Sequence, residues 1–349
     1  MLTMVRLKDI AQLIGVSVMT VSKALRDEPD VSAETKKKIK ALAQQLGYVP
    51  DSSAQGLRTK TTKLFGLVIP ATTNPVYGRM LFAIEERAYE LGYDVLIAQT
   101  LNASDREDAC LRRLLSRRVD GLFITPVYRF EAEARIYQEI AARKVPTVLL
   151  GPPAPFCRNF ISIEIEETAA SFNVTRHLIG LGHRKIAYFT GPPAAPWAHE
   201  RFEGYRRALR EAGLEVDDKL VFAAGGTIED GAKAALQMLN EGCQPTAVQT
   251  VGDSVAIGCA ETLLRQGLKI PDDISVAGFG NIQAAEYYRV PLTTVRQPKH
   301  RFGVAAVETM MNLIRGEKAV PRRLAAELVL RQSTAAPKET PPVEAAPKG

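Results

Sequence analysis

From Leu64 onward, short apolar runs alternate with stretches whose apolar residues recur every three or four positions. The runs LFGLVIP (64–70), YDVLIAQT (93–100), DGLFITP (120–126) and VPTVLL (145–150) predict strands, with helices over 77–91, 105–117 and 131–143 between them. The pattern then restarts with KIAYFTG (185–191), LVFAAG (220–225), AVQTV (247–251) and ISVAGFG (274–280). Helices are expected over 168–181, 201–212, 230–240 and 255–266. Strand–helix alternation at this spacing predicts parallel sheets covered on both faces, and two successive sets predict two similar α/β lobes. In such folds ligands sit at the carboxyl ends of strands, here in the cleft between lobes.

The first sixty residues follow a different rhythm. Leu7, Ile10, Ala11 and Ile14 share one helix face, Gly15 ends that helix, and Ser17 is placed to cap a second. In the second helix Val21, Ala24 and Leu25 face inward, while Val18, Met19, Ser22 and Lys23 point elsewhere. A third helix over 32–46 buries Ile39, Leu42, Ala43 and Leu46, exposes Lys36, Lys37, Lys38 and Lys40, and stops at Gly47. Three short helices with a glycine turn between the first two describe a helix-turn-helix, whose second helix enters the DNA major groove. The competing reading is a plain three-helix cap on a larger domain. Next, DSSAQGLRTKTT (51–62) holds a helix of one or two turns ending near Arg58, too short to persist unaided and weakened by Gly56. Such a segment folds on binding, and Leu57 is then an apolar wedge suited to a minor-groove step.

Charge favours the DNA reading. Residues 1–63 carry eleven Lys/Arg against six Asp/Glu, which is nearly all of the net +6 of the 349-residue chain. No apolar run approaches the ~20 residues that span a bilayer, and the N-terminus lacks a signal-peptide core, so a cytoplasmic protein is expected. Cys110, Cys157, Cys243 and Cys259 have no C-x-x-C spacing and read as reduced thiols. His177, His183, His199 and His300 have no metal-ligand spacing. There is no P-loop, H-E-x-x-H or G-x-S-x-G, and GFGNIQ (278–283) lacks the third glycine of a dinucleotide fingerprint. Neither enzyme, cofactor nor metal is expected. The end, STAAPKETPPVEAAPKG (333–349), reads as disordered and carries no leucine heptads, so a dimer is the simpler expectation.

In combination, LKDIAQLIGVS, TVSKAL, VSAETKKKI, LGYVP and the Ala54–Leu57–Arg58 hinge resemble the head of the lactose-repressor/galactose-repressor family of bacterial transcription regulators. IPATTNPVYGRM, RRVDGLFI, HLIGLGHRKIAYFTG, RFEGYRRAL, GDSVAIG, PDDISVAGFG and PLTTVRQP extend the resemblance through nearly the whole chain. It implies an all-α helix-turn-helix head (1–50), a hinge (51–63) and a two-lobed, periplasmic-binding-protein-like α/β core (64–332). The chain would cross three times between an N-lobe of about 64–160 and 291–319 and a C-lobe of about 161–290 and 320–332. The implied partners are double-stranded DNA with a pseudo-palindromic operator, a second copy in a homodimer, and a small, sugar-related effector. By position Val18, Met19 and Lys23 would read bases, Thr20 and Ser22 would touch phosphates, and Leu57 with Arg58 would engage the minor groove. Arg6 stands where the family usually has a Ser or Thr cap. Tyr77, Arg201 and Asp253 fall at effector positions. Trp197 stacks on the effector or packs in the core. Gly151, Gly252 and Gly280 replace polar residues common in sugar-binding members, which predicts a roomier, less polar cleft for a glycoside, an oligosaccharide or an acidic derivative. The alternative is a ligand receptor acting through proteins, with a vestigial head.

Overall fold

The computed structural model describes residues 5–49 and 61–338, and the chain divides into two units, 1–62 and 63–349. The hinge, with Leu57 and Arg58, lies outside the described residues.

In the first unit, helices Leu7–Ile14, Val18–Leu25 and Ala33–Gln45 close around Ile10, Val21, Ala24 and Ile39, all fully buried. Gly15 adopts φ 74°, the left-handed conformation that lets the chain reverse between the first two helices. Ser17 Oγ accepts from Thr20 N (3.0 Å) and Ser32 Oγ from Thr35 N (3.2 Å), so both hydroxyls cap as their spacing predicts. The Arg6 side chain gives no cap, yet its backbone N–H donates to Asp9 Oδ2 (2.8 Å), which keeps half of a capping box.

The second unit holds two parallel sheets. The first has the order β11-β5-β4-β3-β1-β2, from β1 (Leu64–Ile69), β2 (Asp94–Gln99), β3 (Gly121–Ile124), β4 (Thr147–Leu150), β5 (Ile161–Ile165) and β11 (Arg322–Leu324). The second has the order β7-β6-β8-β9, from β6 (Ile186–Thr190), β7 (Val221–Ala223), β8 (Ala247–Thr250) and β9 (Ser275–Ala277). An antiparallel pair, β10 (Thr294–Arg296) with β12 (Glu327–Val329), is bridged to the second sheet through Ala277–Thr293 and Gly280–Arg296. Fully buried Phe65, Phe123, Phe189 and Phe222 anchor the cores.

Four expectations shift. Strand β5 and strand β11, assigned to the C-lobe above, hydrogen-bond into the N-lobe sheet, and β10 sits with the C-lobe. The crossings therefore fall at 165–167, 296–299 and 324–327, each several residues later than expected. The physical reason is that ISIEI (161–165) is a buried strand whose Glu164 is neutralised by Arg323 of β11 (2.8 Å), so its acid does not mark a loop. The helix Lys299–Arg315, with buried Phe302, Ala306 and Met310, packs in the N-lobe core and was not foreseen as a helix. The helix expected from 201 begins at Pro196, so Trp197 lies in its first turn and not on a loop. Finally, 333–338 is ordered: Val276 N donates to the Ser333 carbonyl (2.8 Å), and buried Ser333 Oγ donates to Val276 O (2.5 Å). Residues 339–349 lie outside the described ones.

Candidate functional site

In the head, the N-terminal turn of the Val18–Leu25 helix presents two apolar side chains to solvent. Val18 is 46% and Met19 64% exposed, on a helix whose opposite face is fully buried. Thr20 Oγ1 is hydrogen-bonded to Ser17 Oγ (2.9 Å), Ser22 Oγ accepts from Arg26 Nη1 (2.5 Å), and Lys23 is ion-paired with Asp30. The five head residues singled out by sequence thus lie on one short helix. Its polar members are held by neighbours, and a phosphate could take the place of Asp30 as acceptor for Lys23.

In the core, the site forms where the chain crosses between lobes. The helices Glu167–Gly180 and Pro196–Glu211 approach so closely that a Cβ on Gly204 would lie 2.4 Å from the Thr168 carbonyl oxygen. That approach lets Ser171 Oγ donate to the Arg201 carbonyl (2.6 Å) and sets the Arg201 side chain against Glu167. Arg201 Nε donates to Glu167 Oε2 (2.7 Å), Nη2 to Oε1 (3.0 Å) and Nη1 to the Val251 carbonyl (2.5 Å). This is the bidentate fork that a guanidinium forms with a carboxylate. The guanidinium carbon lies 3.7 Å from the Phe279 ring centre and 4.8 Å from that of Trp197. Tyr77 stands within electrostatic reach of Arg201 and Glu167, and burial pushes its phenol up to about 12. Trp197, partly buried, packs against the C-lobe core, which is one of its two readings, and its ring lies against the Arg201 guanidinium.

Asp253 behaves differently. It is 2% exposed, and its oxygens accept from Ile282 N (2.8 Å) and Thr294 Oγ1 (2.5 Å). Burial raises its pKa, opposed by these hydrogen bonds and by nearby Lys299. Lys299 itself, pushed down to about 8 by burial, donates to the Gly280 and Asn281 carbonyls. Asp253 therefore ties the loop after β9 to β10, with each of its oxygens already accepting a hydrogen bond from within the chain.

Nor is the cleft simply widened by its glycines. A Cβ on Gly151 would lie 3.0 Å from the Tyr128 hydroxyl, which donates to Pro152 O (2.8 Å). One on Gly280 would meet Asp253 and Val76 at 3.5 and 3.6 Å. Val76, at the N-terminal turn of the Pro75–Glu90 helix, packs against the cores of both lobes. Sequence reading missed Glu167, Phe279 and Tyr128. Phe279 follows the carboxyl end of β9, where the fold rule places ligand contacts, so that signal was present. Glu167 gave none, because its partner Arg201 is 34 residues away.

Comparison with known proteins agrees with this layout. Residues 6–51 match the family described as bacterial regulatory proteins, lacI family, and residues 175–334 match a periplasmic binding protein-like domain. The HTH-type transcriptional repressor PurR of Photobacterium profundum is 32% identical over 95% of this chain and 98% of its own length. The ribose operon repressor of Escherichia coli K12 is 33% identical over 89% of this chain and 93% of its own. The lac repressor dimer bound to operator and the anti-inducer ONPF superposes with a TM-score of 0.85 at 28% identity, covering 96% of this chain and 100% of that one. The CelR–cellobiose complex gives 0.72 at 27% identity over 94% and 99%. With its head, its two lobes and this extent of similarity, the chain belongs to the lacI family of bacterial regulatory proteins, which are DNA-binding transcriptional regulators.

Proposed function

We infer that the chain is a repressor that grips a pseudo-palindromic operator as a homodimer and is controlled by a small molecule held between its lobes. One observation carries the DNA half of this reading: Val18 and Met19 stand exposed together at the start of a helix whose other face is buried. Apolar tips of this kind meet thymine methyls in the major groove. Thr20, Ser22 and Lys23 serve phosphates and flanking bases, and Leu57 with Arg58 carries the hinge contact. The cleft half rests on Arg201, Trp197 and Tyr77 as ligand contacts, with Asp253 as the group that braces the loop beneath them.

Exposed Phe82 and Tyr89, on the Pro75–Glu90 helix, and Ile97, on the edge strand β2 packed beside it, supply an apolar face for a second copy. Ile228 and Tyr287 do the same on the C-lobe. Among the described residues no group of metal ligands occurs, and no helix is long and apolar enough to cross a membrane. Membership of a family of DNA-binding regulators supports reading the chain as a regulator that acts in the cytoplasm rather than as an enzyme. The decisive test is DNA binding across salt. A regulator loses affinity steeply as salt rises yet keeps a preference of about 10³-fold or more for its operator over random duplex. Equal affinity for both duplexes would instead favour a receptor that acts through proteins.

A further inference from the structure

The cleft arginine is already answered from within the chain. Glu167 and Arg201 are both buried, with side chains 5% and 10% exposed, and they meet in the bidentate fork described above. Gln297, at the second crossing, adds a hydrogen bond to Glu167 Oε1 (3.5 Å). Two further cations near the crossings, Arg323 and Lys299, are engaged as well. Arg323 bridges Glu164 (2.8 Å) and Glu200 (3.0 Å), and Lys299 donates to two backbone carbonyls. An anionic ligand at Arg201 must therefore displace Glu167 or stand beside it within a few ångströms, where like charges repel strongly in a poorly hydrated site. Displacement leaves a buried carboxylate without its partner.

An uncharged ligand meets neither obstacle. The remaining guanidinium N–H groups donate, the carboxylate lone pairs accept, and the two stand side by side. Vicinal hydroxyls of a sugar ring, or the donor–acceptor edge of a heterocycle, match that pair. Trp197 and Phe279 set flat apolar surface against it. We propose that Glu167 is a built-in counter-ion that closes Arg201 to anions, so that the cleft takes an uncharged ring compound and rejects carboxylates and phosphate esters. This rests on the reading of the cleft as the effector site, and it removes the acidic derivative from the ligands the sequence allowed.

Trp197 is the only tryptophan in the chain and lies against Arg201, so its emission reports the site directly. The full-length protein is titrated with inorganic phosphate at constant ionic strength, as wild type, Glu167→Asp and Glu167→Gln. Wild type and Glu167→Asp should show no saturable change across the millimolar range. Glu167→Gln should show one, with an apparent affinity at least tenfold above any wild-type response. A wild-type response within tenfold of the Glu167→Gln response, or none in a folded Glu167→Gln, overturns the proposal. Should circular dichroism show Glu167→Gln unfolded, the wild type decides alone with D-ribose 5-phosphate as probe. A saturable Trp197 response then refutes the counter-ion, and its absence upholds it. No DNA enters the measurement, so the counter-ion can fail while effector control of DNA binding stands, and the reverse.

Discussion

Asp253 carries a structural task at a position where the sequence suggests a ligand contact. A carboxylate after a strand end in an α/β lobe invites a ligand role, yet both of its oxygens are taken by Thr294 and Ile282. Hydrogen bonds to a charged group contribute more than neutral ones, and removing the acceptor leaves buried donors unmet. Asp253→Ala is therefore expected to lower core stability by about 2–4 kcal/mol in urea titration. A loss under about 0.5 kcal/mol, with ligand binding abolished, would return Asp253 to the ligand. At the head, replacing Val18 and Met19 together by Ser should weaken operator binding about 5- to 100-fold while leaving random-duplex affinity nearly unchanged. A competition titration in which both duplexes weaken equally would remove base reading from these two residues. Arg201 was legible from the sequence as the cleft cation. Glu167 was not, since nothing local in EIEET marks which distant side chain will face it.

Elements were legible where periodicity was clean. The strands β1 to β4 and β6 to β9 lie inside the runs that predicted them; most are buried parallel strands, which read as continuous apolar segments, while β2 at the sheet edge keeps the pattern although partly exposed. Strand β5 escaped because Ser162 and Glu164 interrupt its apolar run, and both are buried once it pairs between β4 and β11. The described end of the tail escaped for a similar reason. Composition made 333–349 look disordered, but Ser333 Oγ, the Ser333 carbonyl and Ala335 N all bond to the β9 strand. His183 fastens the same segment: Nε2 lies 2.8 Å from the Ala335 carbonyl, and Nδ1 lies 2.8 Å from Thr246 Oγ1.

Burial holds the His183 pKa below its usual 6.5, partly offset by the Ala335 carbonyl and assisted by nearby His177. Because the folded chain then takes up this proton less readily than the unfolded one, stability is complete above about pH 6.5 and declines as pH falls below it. Thermal unfolding at pH 7 and 5 should show that decline, reduced in His183→Gln; an undiminished acid loss in the variant would place the titration elsewhere. Helix packing makes a further prediction. Gly204→Ala should cost about 1–3 kcal/mol, because a methyl there collides with backbone that cannot step aside. The same change should blunt the Trp197 response to ligand by moving Arg201 off Glu167, whereas wild-type stability in denaturant titration would contradict the close approach.

At the scale of the whole molecule, a sensor and a grip lie on separate units of one chain, so control requires that ligand shift an equilibrium between states of different DNA affinity. A ligand can do so only by binding one state better than the other, and a tenfold change in operator affinity corresponds to about 1.4 kcal/mol of coupling. The most direct measurement is fluorescence anisotropy of a genomic duplex selected by the protein itself. It is titrated against a random duplex at several salt concentrations, with and without a neutral ring compound that saturates the Trp197 signal. Steep salt dependence, a retained preference of about 10³-fold for the selected duplex, and a shift of about tenfold or more in its affinity on ligand addition are the predicted results. Equal affinity for the two duplexes, or an operator affinity indifferent to a saturating ligand, would contradict the account.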